Sequence, residues 1–309
     1  MAKNNFIKLS YEKHELHFKD YAKGGKKEER AKSWFNTDTV DSWSHARMYS
    51  SIDPLLLSYP EAKWLTVGDG RYGKDAHYIQ QKGLNVLATD ISDVLLKEAK
   101  EIGYITDYRK ENAESLSFSD GKFDFVLCKE SYHHFPRPMI ALYEMLRVCK
   151  KGVVLIEPND PLISTFSYLT FTQLLFANLI FFRRLLKGKK VVEDPYGFEE
   201  VGNYCYSISK REIEKISLGL NLSTVAFKEL NGYYIEGVEY EKASKGSKLF
   251  KKIKSEIRHA NFKSAIGLQG YGLLVAIIFK EQASEECQKM LIENNYEKIE
   301  LRKNPYISH

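Results

Sequence analysis

The sequence predicts an α/β chain built on a doubly wound, seven-stranded, mainly parallel sheet, with an N-terminal helical lid and inserted helices. Three observations predict it. Short apolar runs alternate with helix-period runs from residue 63 to residue 160, the pattern of strand–helix crossovers. The first run, Trp64-Leu65-Thr66-Val67, passes straight into Gly68, Gly70 and Gly73, and the second, Asn85 to Thr89, ends on Asp90. Two further apolar runs, Leu222 to Leu230 and Leu273 to Phe279, complete the set of strands.

The 309 residues suffice for one large α/β domain with insertions, and an apolar fraction of 43% is ample for its core. Net charge is +5, a solvated surface rather than the footprint of a nucleic-acid binder. Cys128, Cys149, Cys205 and Cys287 are scattered without a C-x-x-C pair, which points to a reducing compartment without structural zinc. The first residues, Met-Ala-Lys-Asn-Asn, contain no apolar signal core, so a cytoplasmic setting is expected.

Residues 1–60 read as a lead-in and a lid. Residues 1–30 are polar, rich in Lys and Glu and broken by Gly24-Gly25, so a loose or weakly helical arm is expected. From Ser33 to Tyr59, Trp34, Phe35, Trp43, Met48, Tyr49, Ile52, Leu55 and Leu56 recur at roughly helical spacing, with His45, Arg47 and Asp53 among them. One or two helices follow, either covering the mouth of the glycine turn or docked on the sheet's outer edge.

Residues 61–160 are the ligand-binding core. After Asp90, Ser92 precedes an amphipathic helix stopped by Gly103, and Ile105 to Lys110 is a weaker third strand. Asp120-Gly121 turns into a fourth, Phe123 to Lys129. Pro136 and Pro138 introduce a helix to Cys149, and Lys151-Gly152 turns into a fifth strand, Val153 to Ile156. Ligands of such sheets bind at the carboxyl ends of the strands. Gly68–Gly73, Asp90, Asn112 and Lys129–His134 all fall at such ends, so they converge on one crevice.

Residues 161–206 are an insertion. Leu162 to Phe182 carries no charged residue over 21 positions, and Arg183, Arg184, Lys187, Lys189 and Lys190 follow at once. Its Ser, Thr, Gln and Asn content argues against a membrane span; a lid over an apolar substrate pocket is expected, with a helix lying in a membrane surface as the alternative. Residues 207–280 hold a helix capped by Ser209 and the last two strands. Between those strands, Gly246 to Gly267 reads as a basic helix with Leu249, Ile253 and Ile257 on one side. It is either a solvated face or a contact for anionic lipid or a phosphorylated substrate. Residues 281–309 are a charged tail, expected to be helical.

Strand, glycine turn, helix, strand and terminal acid make a unit for a nucleotide-like ligand, in which Asp90 can take both ribose hydroxyls. The literal G-x-G-x-x-G pattern is also that of NAD enzymes, so this stretch alone leaves an oxidoreductase open.

The run Ala113-Glu114-Ser115-Leu116-Ser117-Phe118-Ser119-Asp120-Gly121-Lys122-Phe123-Asp124 decides between them. With Ala141 to Val148, Lys151-Gly152 and Leu155-Ile156-Glu157-Pro158, it resembles the class I S-adenosylmethionine-dependent methyltransferases, in the small-molecule, type 11-like group. The resemblance runs from about Trp34 to Pro158 and returns at the two closing strands. It implies a Rossmann-like methyltransferase fold and S-adenosyl-L-methionine as cofactor. Gly68, Gly70 and Gly73 would then pass the backbone beside the methionine part, and Ile91 would lie against the adenine. Asn112 would receive the adenine amino group where the family often has an aspartate, Ala113 would leave room for the ring, and Lys129 and Glu130 would border the cofactor. The chain departs from the family at Thr66, where an acid is usual, and at Tyr72, where the third glycine is usual. Asp69, Arg71, His45 and Arg47 are the candidates to hold the methionine amino and carboxylate groups instead.

His133 and His134 follow the fourth strand, where the methyl should project, and histidine has the intrinsic pKa of a general base near neutrality. The alternative is that one packs and the other caps the next helix. Tyr132 is a weaker, orienting candidate. Glu157, Asn159 and Asp160 face the same crevice and could orient a polar acceptor, hold a divalent metal with help from elsewhere, or cap the loop; no strict metal-ligand spacing appears, so capping is favoured and no metal is expected. Tyr196, Tyr204, Tyr206, Tyr233 and Tyr234 suit a sugar ring or an aromatic acceptor. The expected activity is O-methylation of a saccharide, glycan or related small metabolite, with a peripheral contact at the inner membrane face as a further partner. An NAD oxidoreductase and an inactive cofactor-binding scaffold are the alternatives. A nucleic-acid substrate is disfavoured, because no Asn/Asp-Pro-Pro-Tyr run is present.

Overall fold

The structure, a computed structural model, describes residues 3–160, 197–199 and 203–306. The charge-free run Leu162 to Phe182, the cations after it and Tyr196 lie outside the described residues.

The apolar runs form β1 (Lys63–Val67), β2 (Asn85–Asp90), β3 (Tyr108–Lys110), β4 (Phe123–Lys129), β5 (Cys149–Pro158), β6 (Thr224–Leu230) and β7 (Leu273–Phe279). An added strand, β8 (Glu297–Glu300), makes the sheet eight-stranded, in the order β3-β2-β1-β4-β5-β7-β6-β8. β1 to β5 are parallel neighbours, and β7 lies antiparallel between β5 and β6. The expected seven strands are thus one short, because the tail is a helix followed by a strand. β8 has a single apolar residue, Ile299, and pairs only with β6 at the sheet's edge. An edge strand tolerates charge that a central strand does not, so its sequence carries no apolar alternation.

Most other strands are apolar at consecutive positions because helices cover both faces of the sheet. Trp64, Phe125, Leu127, Val275 and Ile277 point into one layer, while Leu65, Val126, Cys128, Leu274 and Ala276 point into the other. The first layer is filled by α4 (Asp53–Ser58), α5 (Lys74–Gln81), α6 (Val94–Glu101) and α10 (Glu285–Glu293). The second is filled by α7 (Pro138–Val148) and α8 (Lys210–Gly219), whose cap, Ser209 Oγ, accepts from Glu212 N at 3.2 Å.

Of the two forms expected for the N-terminal arm, loose or weakly helical, the helical one is found and is longer and more regular than expected: α1 spans Lys3–Lys19. Ser10, His14, His17 and Phe18 recur at helical spacing along its inward side, Tyr21 continues the row in the turn just past its end, and all five are buried or half-buried. That stripe is made of histidine and aromatic residues, so it does not register as an apolar face. α2 (Glu28–Ser33) and α3 (Val40–Tyr49) follow, the latter capped by Thr39 Oγ1, which accepts from Ser42 N at 3.1 Å.

Register places the remaining insertion. Leu230 pairs with Leu273, and Leu273 pairs with Pro158, so the β6–β7 connection leaves the sheet at the edge where β1, β2, β4 and β5 also end. That connection holds α9 (Lys248–Ala265), whose Phe250, Ile253 and Ile257 pack with Val238 against Val40 and Trp43 of α3.

Candidate functional site

At that edge lies a cavity of about 830 Å³. Its sheet wall is built from loops at the strand tips, and its helical wall from α1, α2 and α3. Of the residues singled out by sequence, Gly68, Asp69, Gly70, Asp90, Ile91, Ala113, Lys129 and His134 line it together. Gly73, Asn112 and His133 do not. Asn112 borders a neighbouring depression that shares Tyr11 and Ile91 with the cavity, and its Oδ1 accepts from Glu114 N at 2.9 Å.

The glycine turn is shaped first by the protein itself. β1 ends at Gly68, whose φ of +78° suits glycine, and Gly68 N and Asp69 N both donate to the Thr89 carbonyl. A side chain at Gly68 would strike Ser131; one at Gly70 would lie 2.6 Å from the Phe18 ring and 2.9 Å from Asp90 Oδ2. Gly73 begins α5 at φ +68°, packed against Ile105. Tyr72 also has a positive φ, 59°, and spends that strain on packing: its ring lies 4.5 Å from Phe35 and 6.3 Å from Trp34, centroid to centroid. Tyr72 therefore fastens the helical wall to the turn.

Asp69 turns inward. Its carboxylate accepts from Thr66 Oγ1 at 2.8 Å, Asp75 N at 3.1 Å and Ala76 N at 2.9 Å, so it caps the start of α5. Burial, and then the neighbouring Asp75, push its carboxyl well above the usual range. Thr66, standing where an acid is usual, serves to hold this acid three residues on.

Asp90, at the tip of β2, is buried; its Oδ1 accepts from Ser92 N at 2.8 Å, and burial pushes its carboxyl up to about 7. Beside it a charged cluster fills the cavity floor. Lys129 Nζ sits 3.1 Å from Glu130 Oε2 and 3.5 Å from Asp75 Oδ1. Burial works against the charges of both Lys129 and Glu130. For Lys129 the Asp75 and Glu130 carboxylates outweigh it; for Glu130, Lys129, His45 and Arg71 do. His45 lies 3.4 Å from both Asp41 and Glu130. Arg71 stacks over Trp34 and lines the cavity with Lys74, whereas Arg47 reaches away to the Asn231 carbonyl at 3.0 Å.

The two histidines part company. Glu157, fully buried on β5, accepts from Ser131 N and Tyr132 N, both at 3.0 Å, and from His133 Nδ1 at 2.6 Å. Burial lowers the affinity of His133 for a proton, but the Glu157 charge outweighs it and raises the pKa. His133 is thus a buried hydrogen-bond partner of Glu157, and the two together fix the loop. His134 lines the cavity and gives its Nδ1–H to Glu199 Oε2 at 2.8 Å, leaving Nε2 as the basic nitrogen. Asn203 ties this corner to α1: its Nδ2 donates to the His134 carbonyl at 2.8 Å and to Glu199 at 2.9 Å, while its Oδ1 accepts from His14 Nε2 at 2.8 Å.

His14, His17, Phe18, Tyr21, Lys74 and Glu199 are lining residues that the sequence reading did not single out. The helical spacing of the first four was the available signal.

A family model described as a methyltransferase domain matches residues 65–156. The chain is 33% identical over 100 residues to the 2-methyl-6-phytyl-1,4-hydroquinone methyltransferase of Synechocystis, covering 31% of each protein. It is 29% identical over 134 residues to the ubiquinone biosynthesis O-methyltransferase of Xanthomonas campestris, covering 40% of this chain and 54% of that one. The matched segments thus span no more than about half the length of these relatives. A solved SAM-dependent methyltransferase from Archaeoglobus fulgidus is similar over 76% of this chain and 94% of its own, at 14% identity and a TM-score of 0.45. The family match opens in the strand that enters the glycine turn and closes in the strand that carries Glu157. Residues 65–156, which supply most of the sheet wall of the cavity, thus match a methyltransferase domain.

Proposed function

We propose that the chain methylates an ionisable hydroxyl of a small acceptor, a hydroquinone or related phenol, with His134 as general base. The observation that carries this reading is the position of His134: it shares one cavity with Gly68, Gly70 and Asp90 and is oriented by Glu199. The residues fit an adenosyl cofactor. The cavity is within the usual ~300–1,000 Å³ of small-ligand sites. A buried carboxylate stands at its adenosyl end, and its floor offers Arg71, Lys74 and His45 to a carboxylate.

When bound, S-adenosylmethionine supplies a methyl group on a sulfonium, already activated for in-line displacement. The protein then aligns and deprotonates. His134 Nε2 takes the acceptor proton, and Glu199 steadies the imidazolium that results. Glu157 keeps the loop in place through two main-chain N–H groups and His133. Asp90 would hold the ribose hydroxyls, and Ile91 and Ala113 would flank the base. The acceptor class is supported by the two relatives, whose names place them on a hydroquinone and in ubiquinone biosynthesis.

A saccharide acceptor is the second reading. Tyr204 and Tyr206 pack edge to face at 5.1 Å beside the Glu199 loop, and Tyr206 N donates to the His133 carbonyl. Such ring faces suit a sugar. Incubation with methyl-labelled cofactor and matched panels of hydroquinones, catechols and sugars separates the two. A methyl ether on a phenolic oxygen is the expected product; label found only on sugars removes the first reading, and no transfer to either removes both.

A further inference from the structure

The outward side of α9 takes no part in the site, yet its composition is selective. Lys248, Lys251, Lys252, Lys254, Arg258 and Lys263 are all exposed, and among the described residues none of them is in an ion pair. At helical spacing, Lys248, Lys251, Lys252, Ser255, Arg258 and His259 form one stripe, which Phe262 and Ile266 continue. No acid falls on that stripe; Glu256 lies to its side and is half-buried. At its C-terminal end Phe262 is 65% exposed, Ile266 45% and Leu268, just past the helix, 37%. The opposite side is anchored by Phe250, Ile253 and Ile257, so the stripe cannot turn inward to bury these side chains.

We infer that α9 is an interfacial helix that seats the protein on an anionic lipid surface. Cations along the stripe meet the headgroups, while Phe262, Ile266 and Leu268 enter the headgroup–acyl boundary. Nucleic acid would explain the cations but gives no reason for bare apolar side chains in line with them. The position of α9 adds a consequence. The β6–β7 connection emerges at the sheet edge where the cavity lies, so the surface that α9 touches borders the cavity's side of the molecule. An acceptor with an apolar tail would then be drawn from the bilayer rather than from water.

The test is flotation of the full chain with vesicles of phosphatidylcholine alone and of phosphatidylcholine with phosphatidylglycerol, at low and high salt. Binding is expected only to the anionic vesicles and should weaken with salt. A variant carrying Lys251→Glu, Lys252→Glu and Arg258→Glu should bind at least about tenfold more weakly. Phe262→Ser should bind several-fold more weakly while keeping the salt dependence. All four positions are exposed, and circular dichroism checks that the variants remain folded. Equal binding to neutral vesicles, unchanged binding of the triple variant, or displacement from vesicles by duplex DNA would each overturn the inference. Cofactor titration of the same variants should be unchanged, which keeps failure of lipid binding distinct from failure of the methyl-transfer reading.

Discussion

The two walls of the cavity are made differently. On the sheet wall most lining residues sit within a few positions of a strand end and are held by main-chain ladders and short side-chain bonds, such as Ser131 Oγ to the Gly68 carbonyl at 2.6 Å. The helical wall is assembled from residues far apart in sequence and held by rings: Tyr21 on Trp34, Phe35 on Tyr72 and Phe18 against Gly70. Polar bonds reach across as well: Asn203 joins His14 to the His134 carbonyl, Tyr49 Oη donates to Asp75 at 2.7 Å, His45 lies 3.4 Å from Glu130, and Lys110 donates to Glu15 at 2.9 Å. We propose that the first wall sets ligand position and the second sets access, because a wall of packed side chains can open locally while a strand ladder stays closed.

His134 joins two parts of the site, with its main chain after β4 and its partner Glu199 within the 161–206 insertion, so changing it should have the largest effect. His134→Gln keeps a polar side chain but cannot accept a proton at neutral pH, and kcat should fall by ~10²–10⁴ with cofactor affinity nearly unchanged. A steady-state split of kcat and KM checks this. A variant with undiminished kcat would move the base elsewhere and dissolve the link between those two parts.

Asp90 tests the sheet wall alone, with two effects of opposite sign. Asp90→Asn removes a charged acceptor from the ribose and should cost about 1–3 kcal/mol of cofactor affinity. In the ligand-free protein the same change should stabilise. Burial raises the Asp90 pKa from 3.8 to about 7, so between those values the folded state holds a proton that the unfolded chain has released. Stability through this group therefore falls as pH rises across that window, and the deficit is complete above it. Thermal melts without cofactor should show the variant more stable than the parent near pH 8 and no different near pH 4. A variant that binds as well as the parent would take Asp90 out of the site.

The same contrast explains what the sequence reveals. β1, β2, β4 and β5 are legible because burial on both faces makes them continuously apolar, and the tips that follow carry glycine and acid at fixed offsets. The role of Asp69 is not legible. Whether a turn acid faces ligand or caps the next helix depends on where Asp75 N and Ala76 N lie, which only the folded turn decides. The length and regularity of α1 escape notice because histidines and aromatics bury its inward side. β8 escapes because an edge strand keeps its charges: Glu297 meets Lys210, and Glu300 meets Lys298. His133 and His134 look alike in sequence and differ only through Glu157 and Glu199, which lie 24 and 65 residues away.

Tyr72 tests how the walls are joined. Tyr72→Gly relieves a left-handed backbone worth about 1–2 kcal/mol, but it deletes a buried ring worth about 3–5, for a net loss of about 2. Chemical denaturation should therefore show destabilisation. A neutral or stabilising result would mean that strain, not packing, dominates at this position.

The smallest effect expected is at the hinge of the helical wall itself. Burial lowers the His14 pKa, while its bond to Asn203 works to raise it. Docked α1 therefore refuses a proton that the undocked helix accepts, so docking weakens as pH falls below the ordinary histidine value of 6.5. Amide protection across residues 3–19, taken relative to intrinsic exchange at each pH, should fall from about pH 8 to about pH 5, and cofactor release should quicken with it. Asn203→Ala should cost about 1 kcal/mol of docking at neutral pH. It should also carry the loss to lower pH, since His14 forfeits the acceptor that raised its pKa. Protection of α1 that ignores both pH and Asn203 would mean that the rings alone hold this wall, and that His14 is packing rather than latch.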